Sequence, residues 1–197
     1  MISAKHWQQS YSGQIVTPRH LLPEQVRFED IPHSLAQKVR FNGQLFVPGY
    51  TVAQHCCMGA EEFILRGEER FALPFLLHEV DEVYLPDVPS PIKGAVRVVL
   101  TDREDETCTW GELCDQHADA MFAALGLTEL RPLLQSPEVH DMDLRMLLTE
   151  KRDLMGQEPV PWGIPGEPLP FKIDPVWDYS ECRERFTYLY RQLRARF

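Results

Sequence analysis

Residues 76–93 read LLHEVDEVYLPDVPSPIK and gather His78, Glu79, Asp81, Glu82 and Asp87 beside Leu76, Leu77, Val80, Val83, Tyr84 and Leu85. Charged side chains are rarely set into an apolar run unless they are paired or bind a metal ion. A histidine with several carboxylates is a donor set that divalent cations accept. The spacing predicts a helix over 74–85, which would put His78 and Glu82 on one face, one turn apart. Glu79 would then lie about 100° round from His78. Pro86, Pro89 and Pro91 end that helix and hold Asp87 in a stiff turn. The competing reading is a surface helix with a solvated acidic face.

Two further residues of the same chemistry lie in apolar helical patterns elsewhere, His55 and Asp143. Taken singly, each is as well explained as an ordinary core or surface residue. Together with His78 they describe a set that helices of a bundle can bring to one divalent ion. No phosphate-cradling glycine loop, no G-x-S-x-G and no H-E-x-x-H occurs in the chain.

The elements that must position these residues are predicted to be mainly helices. Asp30 is expected to cap a helix that carries Leu35 and Val39 inward and ends near Arg40-Phe41, before Asn42-Gly43. Thr51 caps a helix of roughly 52–66, with Val52, Cys56 and Phe63 or Ile64 in the core, and Gly67 stops it. Thr109 and Glu112 form a capping box for a helix running to about Leu125, with its stop at Gly126. Ser136-Pro137 starts a helix with Asp143, Leu147, Glu150 and Leu154 on one face. Its Arg145, Glu150 and Arg152 are expected to form a structural ion-pair network. Residues 94–106 suggest a strand or a buried helix end, and residues 1–29 a loop with a short hairpin. The Pro-rich segment 156–175 carries Trp162, Leu169 and Phe171, with Trp177 just beyond, and so reads as an ordered wrap, not a tether. A last helix starts at Ser180. The expected architecture is all-α, one domain over residues 1–197.

The bulk numbers narrow the function. A length of 197 residues supports one buried core, and 44% hydrophobic with 25% charged residues is ordinary globular composition. A net charge of −10 disfavours nucleic-acid polymers and anionic membranes as partners. It leaves room for a small anionic substrate, because a metal ion and an arginine reverse the local field. Five cysteines without regular spacing argue for reduced thiols, and the start MISAKHWQQSYSG lacks a signal peptide's apolar core. The expected location is cytoplasmic.

Four blocks carry a family resemblance: DIPHSLAQKVRFNGQ, YTVAQHC, LLHEVDEVYLPDVPSPIK and DLRMLLTEKRDLM. In this order and spacing the chain resembles the HD-domain phosphohydrolases, in particular small bacterial and phage members related to 5′-deoxynucleotidases and dATP triphosphohydrolases. The resemblance implies a compact multi-helix HD-domain bundle closed by the Pro-rich wrap and final helix. It implies a divalent metal cofactor (Mn, Co, Zn or Mg) held by His55, His78, Glu79 and Asp143. Glu79 departs from the family, which has aspartate there; glutamate keeps the charge and adds one methylene, roughly 1.5 Å of bond. Glu82 and Asp87 match the family's second pair of acids, with Asp87 the general acid or water-orienting group. Arg40-Phe41 matches an arginine that grips phosphate oxygens and an aromatic that packs on sugar or base. Lys93 would add charge near the phosphates. The implied substrate is a small deoxynucleotide, most directly a dNTP cleaved to deoxynucleoside and triphosphate, alternatively a dNMP. Further alternatives are another phosphate ester, such as a cyclic or alarmone nucleotide, and a catalytically silent nucleotide-binding protein, should Glu79 have cost the metal. A homo-oligomer is implied as well.

Overall fold

A computed structural model describes residues 6–100 and 106–197. The chain is mostly helical, with two small antiparallel hairpins beside the helices, β1 (Gln8–Gln9) with β2 (Ile15–Val16) and β3 (Arg97–Val99) with β4 (Thr107–Thr109). Among the described residues no helix is long and apolar enough to cross a membrane. All five cysteines carry free thiols.

The core is built on α2 (Val52–Leu65). The Thr51 side chain accepts the Gln54 backbone N–H and so starts this helix as predicted. Gly67, at φ +72°, ends it with a bond from its N–H to the Ile64 carbonyl. Val52, Ala53, Cys56, Cys57 and Ala60 are fully buried. Around α2 pack α3 (Ala72–Leu76), α6 (Pro137–Leu154) and α7 (Tyr179–Arg194). Gly59 decides how closely α3 approaches, because a Cβ there would stand 2.1 Å from the Phe75 ring. The capping box at Thr109 and the Ser136 cap start α5 (Trp110–Ala124) and α6 where the sequence places them.

Two expectations about α1 (Asp30–Leu35) need correction. Asp30 is the first helical residue and caps nothing; its carboxylate accepts the Ser12 N–H at 2.7 Å, the Ser12 hydroxyl at 3.0 Å and the Tyr84 hydroxyl at 2.8 Å. It thereby joins the N-terminal hairpin to the end of the HEVDE stretch. The helix also stops at Leu35, so Val39 does not point inward and is 36% exposed. Val39 is extended and bridges to Thr51, and its neighbours pair with the chain entering α2 through Val52 N–H to the Lys38 carbonyl and Arg40 N–H to the Tyr50 carbonyl, before a 3-10 turn at Arg40–Gly43. That pairing brings Arg40 beside the start of α2.

The predicted helix over 74–85 is broken. The structure has α3, a turn at 77–79 and a single 3-10 turn, Val80–Val83. In a continuous helix the Phe75 carbonyl would receive the N–H of Glu79. It is taken instead by the His78 backbone N–H at 3.2 Å and by His78 Nδ1 at 2.6 Å. A side chain bonding to the local backbone competes with the helix ladder.

The segment 156–178 is an ordered wrap, as its composition predicts. Polar side chains of two helices pin its backbone: Thr149 accepts the Leu169 N–H, Asp153 the Ile173 N–H and Gln54 the Trp177 N–H. Leu169, Ile173 and Trp177 are buried beneath it.

Candidate metal centre

The broken helix serves the site. Neighbouring helical residues diverge by about 100°, yet the turn at 77–79 lets His78 and Glu79 face the same point. One ligand atom each from His55, His78, Glu79 and Asp143 lies within 4.8 Å of all the others. His55 comes from α2, His78 and Glu79 from the turn after α3, and Asp143 from α6. The His55 and His78 Nε2 atoms are 3.2 Å apart; Asp143 Oδ1 is 3.3 Å from the first and 3.6 Å from the second. Glu79 Oε1 is 3.7 Å from His78 Nε2.

These residues fit a divalent cation. His55 Nδ1–H donates to Glu150 Oε1 at 2.6 Å, and His78 Nδ1–H donates to the Phe75 carbonyl at 2.6 Å. With Nδ1 committed as a donor, each ring in its neutral form presents an Nε2 lone pair to a cation. Two such lone pairs beside a carboxylate oxygen repel unless positive charge sits among them, which a bound cation supplies or, without one, a proton: the pKa of His78 is held well above its ordinary value. Bonds of about 2.0–2.2 Å to one ion put neighbouring ligands roughly 3–4 Å apart, which matches the spacings seen. The donor set of two imidazoles and two carboxylates suits Mn, Co or Zn better than Mg, which prefers oxygen.

Charge around the site is balanced from behind by Glu150. Its carboxylate is fully buried and accepts His55 Nδ1–H, the Tyr50 hydroxyl at 2.9 Å, and Arg40 Nε–H and Nη2–H at 3.2 Å each. Burial alone would raise its pKa, but the Arg40 guanidinium and then His55 hold it below the ordinary value. Arg40 also donates from Nη1 to Glu79 Oε1 at 3.3 Å. The expected Arg145–Glu150–Arg152 network is therefore absent: Arg145 donates to the Glu167 carbonyl, and Arg152 pairs with Asp153. Glu150 turns inward because the neighbouring α2 supplies His55, a fact no pattern within α6 reveals. For Asp143, too, burial would raise the pKa, and the imidazoles of His55 and His78 beside it bring it well below the usual range.

A cleft of about 680 Å³ opens over the four-residue cluster. Arg40, Phe41, Glu79, Glu82, Asp87, Lys93 and Asp143 all line it, so every proposed metal, substrate and acid residue meets there except the buried His55 and the half-buried His78 behind them. Glu82 reaches it from the 3-10 turn, Asp87 from the Pro-flanked turn, and Lys93 from the short helix α4 (Ser90–Lys93). Glu82 is 4% exposed and its Oε2 has no hydrogen-bond partner. Burial first, then the charges of Glu79 and Asp87, push its pKa up to about 9. In the metal-free protein this favours its protonated form at neutral pH. Asp81, which had no expected role, is raised to about 6, mainly by burial and by Glu79.

Fold and site together define a mostly helical domain with a candidate divalent-cation centre at the floor of a cleft. No protein-family model matches the chain. An uncharacterized protein of Rhodobacter capsulatus is 36% identical over 104 residues, half of this chain and 53% of that protein. The uncharacterized protein YfdR of Escherichia coli is 29% identical over 187 residues, which cover 91% of this chain and 93% of YfdR. The chain thus matches about half the length of the first relative and nearly all of the second.

Proposed function

We propose that this protein is a metal-dependent phosphohydrolase of the HD-domain type acting on a small deoxynucleotide. The observation that carries the reading is the pair of imidazole Nε2 atoms 3.2 Å apart, joined by Glu79 and Asp143, at the floor of a cleft that also holds Arg40, Asp87 and Lys93. A divalent ion held there lowers the pKa of water and polarises a phosphoryl group.

Hydrolysis adds water across the P–O5′ bond: the water oxygen joins phosphorus, and a proton ends on the departing 5′ oxygen. Asp87 is the side chain assigned to orient the water and pass the proton. Glu82, buried at the cleft wall, is assigned to hold the substrate-side hydrogen-bond network. Lys93 supplies positive charge at the cleft, and Arg40 presents part of its guanidinium while anchored on Glu150. Glu79, longer than the family's aspartate, reaches both the imidazole pair and Arg40.

The charge of the cleft favours a monophosphate. Of the two cationic residues that line it among the described residues, Arg40 is already paired with two carboxylates, which leaves Lys93 for the phosphate tail. A 5′-deoxynucleotidase acting on dNMP is therefore the better fit, and dNTP triphosphohydrolysis, the reaction first implied by the resemblance, is the second reading. The test is a panel of deoxy- and ribonucleotides with Mn, Co, Zn and Mg, with nucleoside, phosphate and triphosphate separated by chromatography. Expected are deoxynucleoside and phosphate from dNMP, with turnover lost in Asp87→Ala while metal content stays. Triphosphate released from dNTP at a greater rate would reverse the order of the two readings. No product with any metal, in a protein that takes up none, would leave a silent nucleotide-binding protein.

A further inference from the structure

The cleft has a second, apolar part that the phosphate chemistry does not use. Phe41, Leu147, Met155, Trp162 and Ile164 line it, and Trp162 and Ile164 come from the Pro-rich wrap. Trp162 is 37% exposed, so the largest side chain in the protein's repertoire is left partly in water at a cleft wall. It does not hang free. Its backbone N–H donates to Glu158 Oε2 at 3.2 Å, Glu158 pairs with Lys151, and Lys151 Nζ lies 5.3 Å from the Trp162 ring centroid. With its backbone held by Glu158 and the Lys151 ammonium over its ring, the partly exposed indole offers a flat surface at little entropic cost.

Phe41 adds an independent observation. It sits in the left-handed region at φ 56°, next to Asn42 at φ 50°. A bulky residue held there is strained, and such strain gathers at ligand sites. The strained turn places the Phe41 ring 6.4 Å from the Trp162 ring, tilted by 46°. At that tilt the two rings are not stacked on each other, and a third flat group can lie against Trp162. Phe41 follows Arg40 directly in the chain, so the apolar wall and the metal-site arginine are joined by one peptide bond.

We propose that Trp162, with Phe41 beside it, is the stacking platform for the planar base of the substrate, and that the Pro-rich wrap therefore determines which phosphate esters the cleft accepts. The inference rests on the phosphate end of the substrate binding at the metal centre, as proposed above. Trp162 acts by binding and takes no part in the bond-breaking step.

The experiment compares a deoxynucleoside monophosphate with deoxyribose 5-phosphate, the same ester without a base, in wild type, Trp162→Ala and Trp162→Phe. Wild type prefers the nucleotide in kcat/KM; Trp162→Ala lowers that preference about tenfold or more through KM, and Trp162→Phe restores most of it. A preference unchanged in Trp162→Ala overturns the proposal, as does an equal loss on both esters. Saturation-transfer NMR with a deoxynucleoside, on chelator-treated protein, reads the platform without any turnover. Transfer to the base protons that vanishes in Trp162→Ala and survives in Trp162→Phe supports it; transfer that persists in Trp162→Ala refutes it. A protein inert towards every ester that still shows Trp162-dependent nucleoside binding would sink the hydrolase reading and keep the platform.

Discussion

The Nε2 atoms of His55 and His78 face each other at 3.2 Å, while the Nδ1 of each ring is committed to a carbonyl or carboxylate acceptor on its other side. Outer hydrogen bonds of this kind fix the tautomer of metal-binding histidines and aim the remaining lone pair. The first prediction follows from that geometry. Wild-type protein equilibrated with Mn or Co and then desalted will carry one ion per chain by elemental analysis. His55→Ala, His78→Ala and Asp143→Ala will each lose it. The ion will also raise Tm in a concentration-dependent way, about 2.7 kcal/mol of stabilisation at a hundredfold excess over Kd. Metal content that is unchanged in His78→Ala would exclude this centre.

Glu150 gives a second prediction, because it faces a buried guanidinium and aims His55 at once. Glu150→Gln removes the fully buried one of the two countercharges of Arg40 and should cost about 3–5 kcal/mol in urea unfolding of the metal-free protein. Tyr50→Phe removes one neutral donor to a charged acceptor and should cost about 1.5–3 kcal/mol. Glu150→Gln should also weaken metal binding about 10–100-fold. Equal, small effects from both substitutions would show that the network is not what orients His55.

Gly59 links packing to the site. It lies one turn beyond His55 on α2, and the Phe75 ring that fills its missing side chain stacks on His78 at 4.3 Å. Gly59→Ala should destabilise by about 1–3 kcal/mol through overpacking. It should also weaken metal binding, since Phe75 carries both the ring and the carbonyl that hold His78. Combining it with Phe75→Leu makes room for the methyl group, so the two costs should be clearly non-additive in a double-mutant cycle. Strict additivity would mean that the close approach is not the cause.

The raised pKa of Glu82 has a definite sign in stability. In the metal-free folded protein Glu82 keeps its proton up to about 9. In the unfolded chain a glutamate loses it near its ordinary value of 4.5. Between those limits the folded state binds more protons, so this residue's contribution to stability falls as pH rises. Glu82→Gln removes the titration. Urea unfolding at pH 5.5 and at pH 8.5, with chelator present, should show wild type losing more stability than the variant over that interval. Parallel losses would mean that Glu82 is solvated or paired.

The caps were readable because they are local. Thr51, the Thr109–Glu112 box and Ser136-Pro137 each satisfy helix N–H groups within three residues, so their helices begin where the sequence alone places them. Gly67 and Gly126 end helices with positive φ for an equally local reason. The break at 77–79 was not readable, because hydrophobic spacing over 74–85 fits a helix, and the competing bond from His78 Nδ1 to the Phe75 carbonyl is a side-chain choice. The role of Glu150 was hidden in the same way. Its partners His55 and Arg40 are 95 and 110 residues away in sequence, and helical periodicity does not tell a carboxylate facing them from one facing solvent.

By itself the sequence determined the residue types able to hold a cation, the helices that carry His55 and Asp143, and the proline-held turn around Asp87. These follow from side-chain chemistry and from bonds spanning a few residues. Tertiary structure alone decided that the four ligand atoms come within 4.8 Å of one another, that Arg40 is anchored by Glu150, and that Trp162 stands at the cleft wall. Each of those depends on packing between segments far apart in the chain, where burial makes an unpaired charge costly and so forces distant partners together.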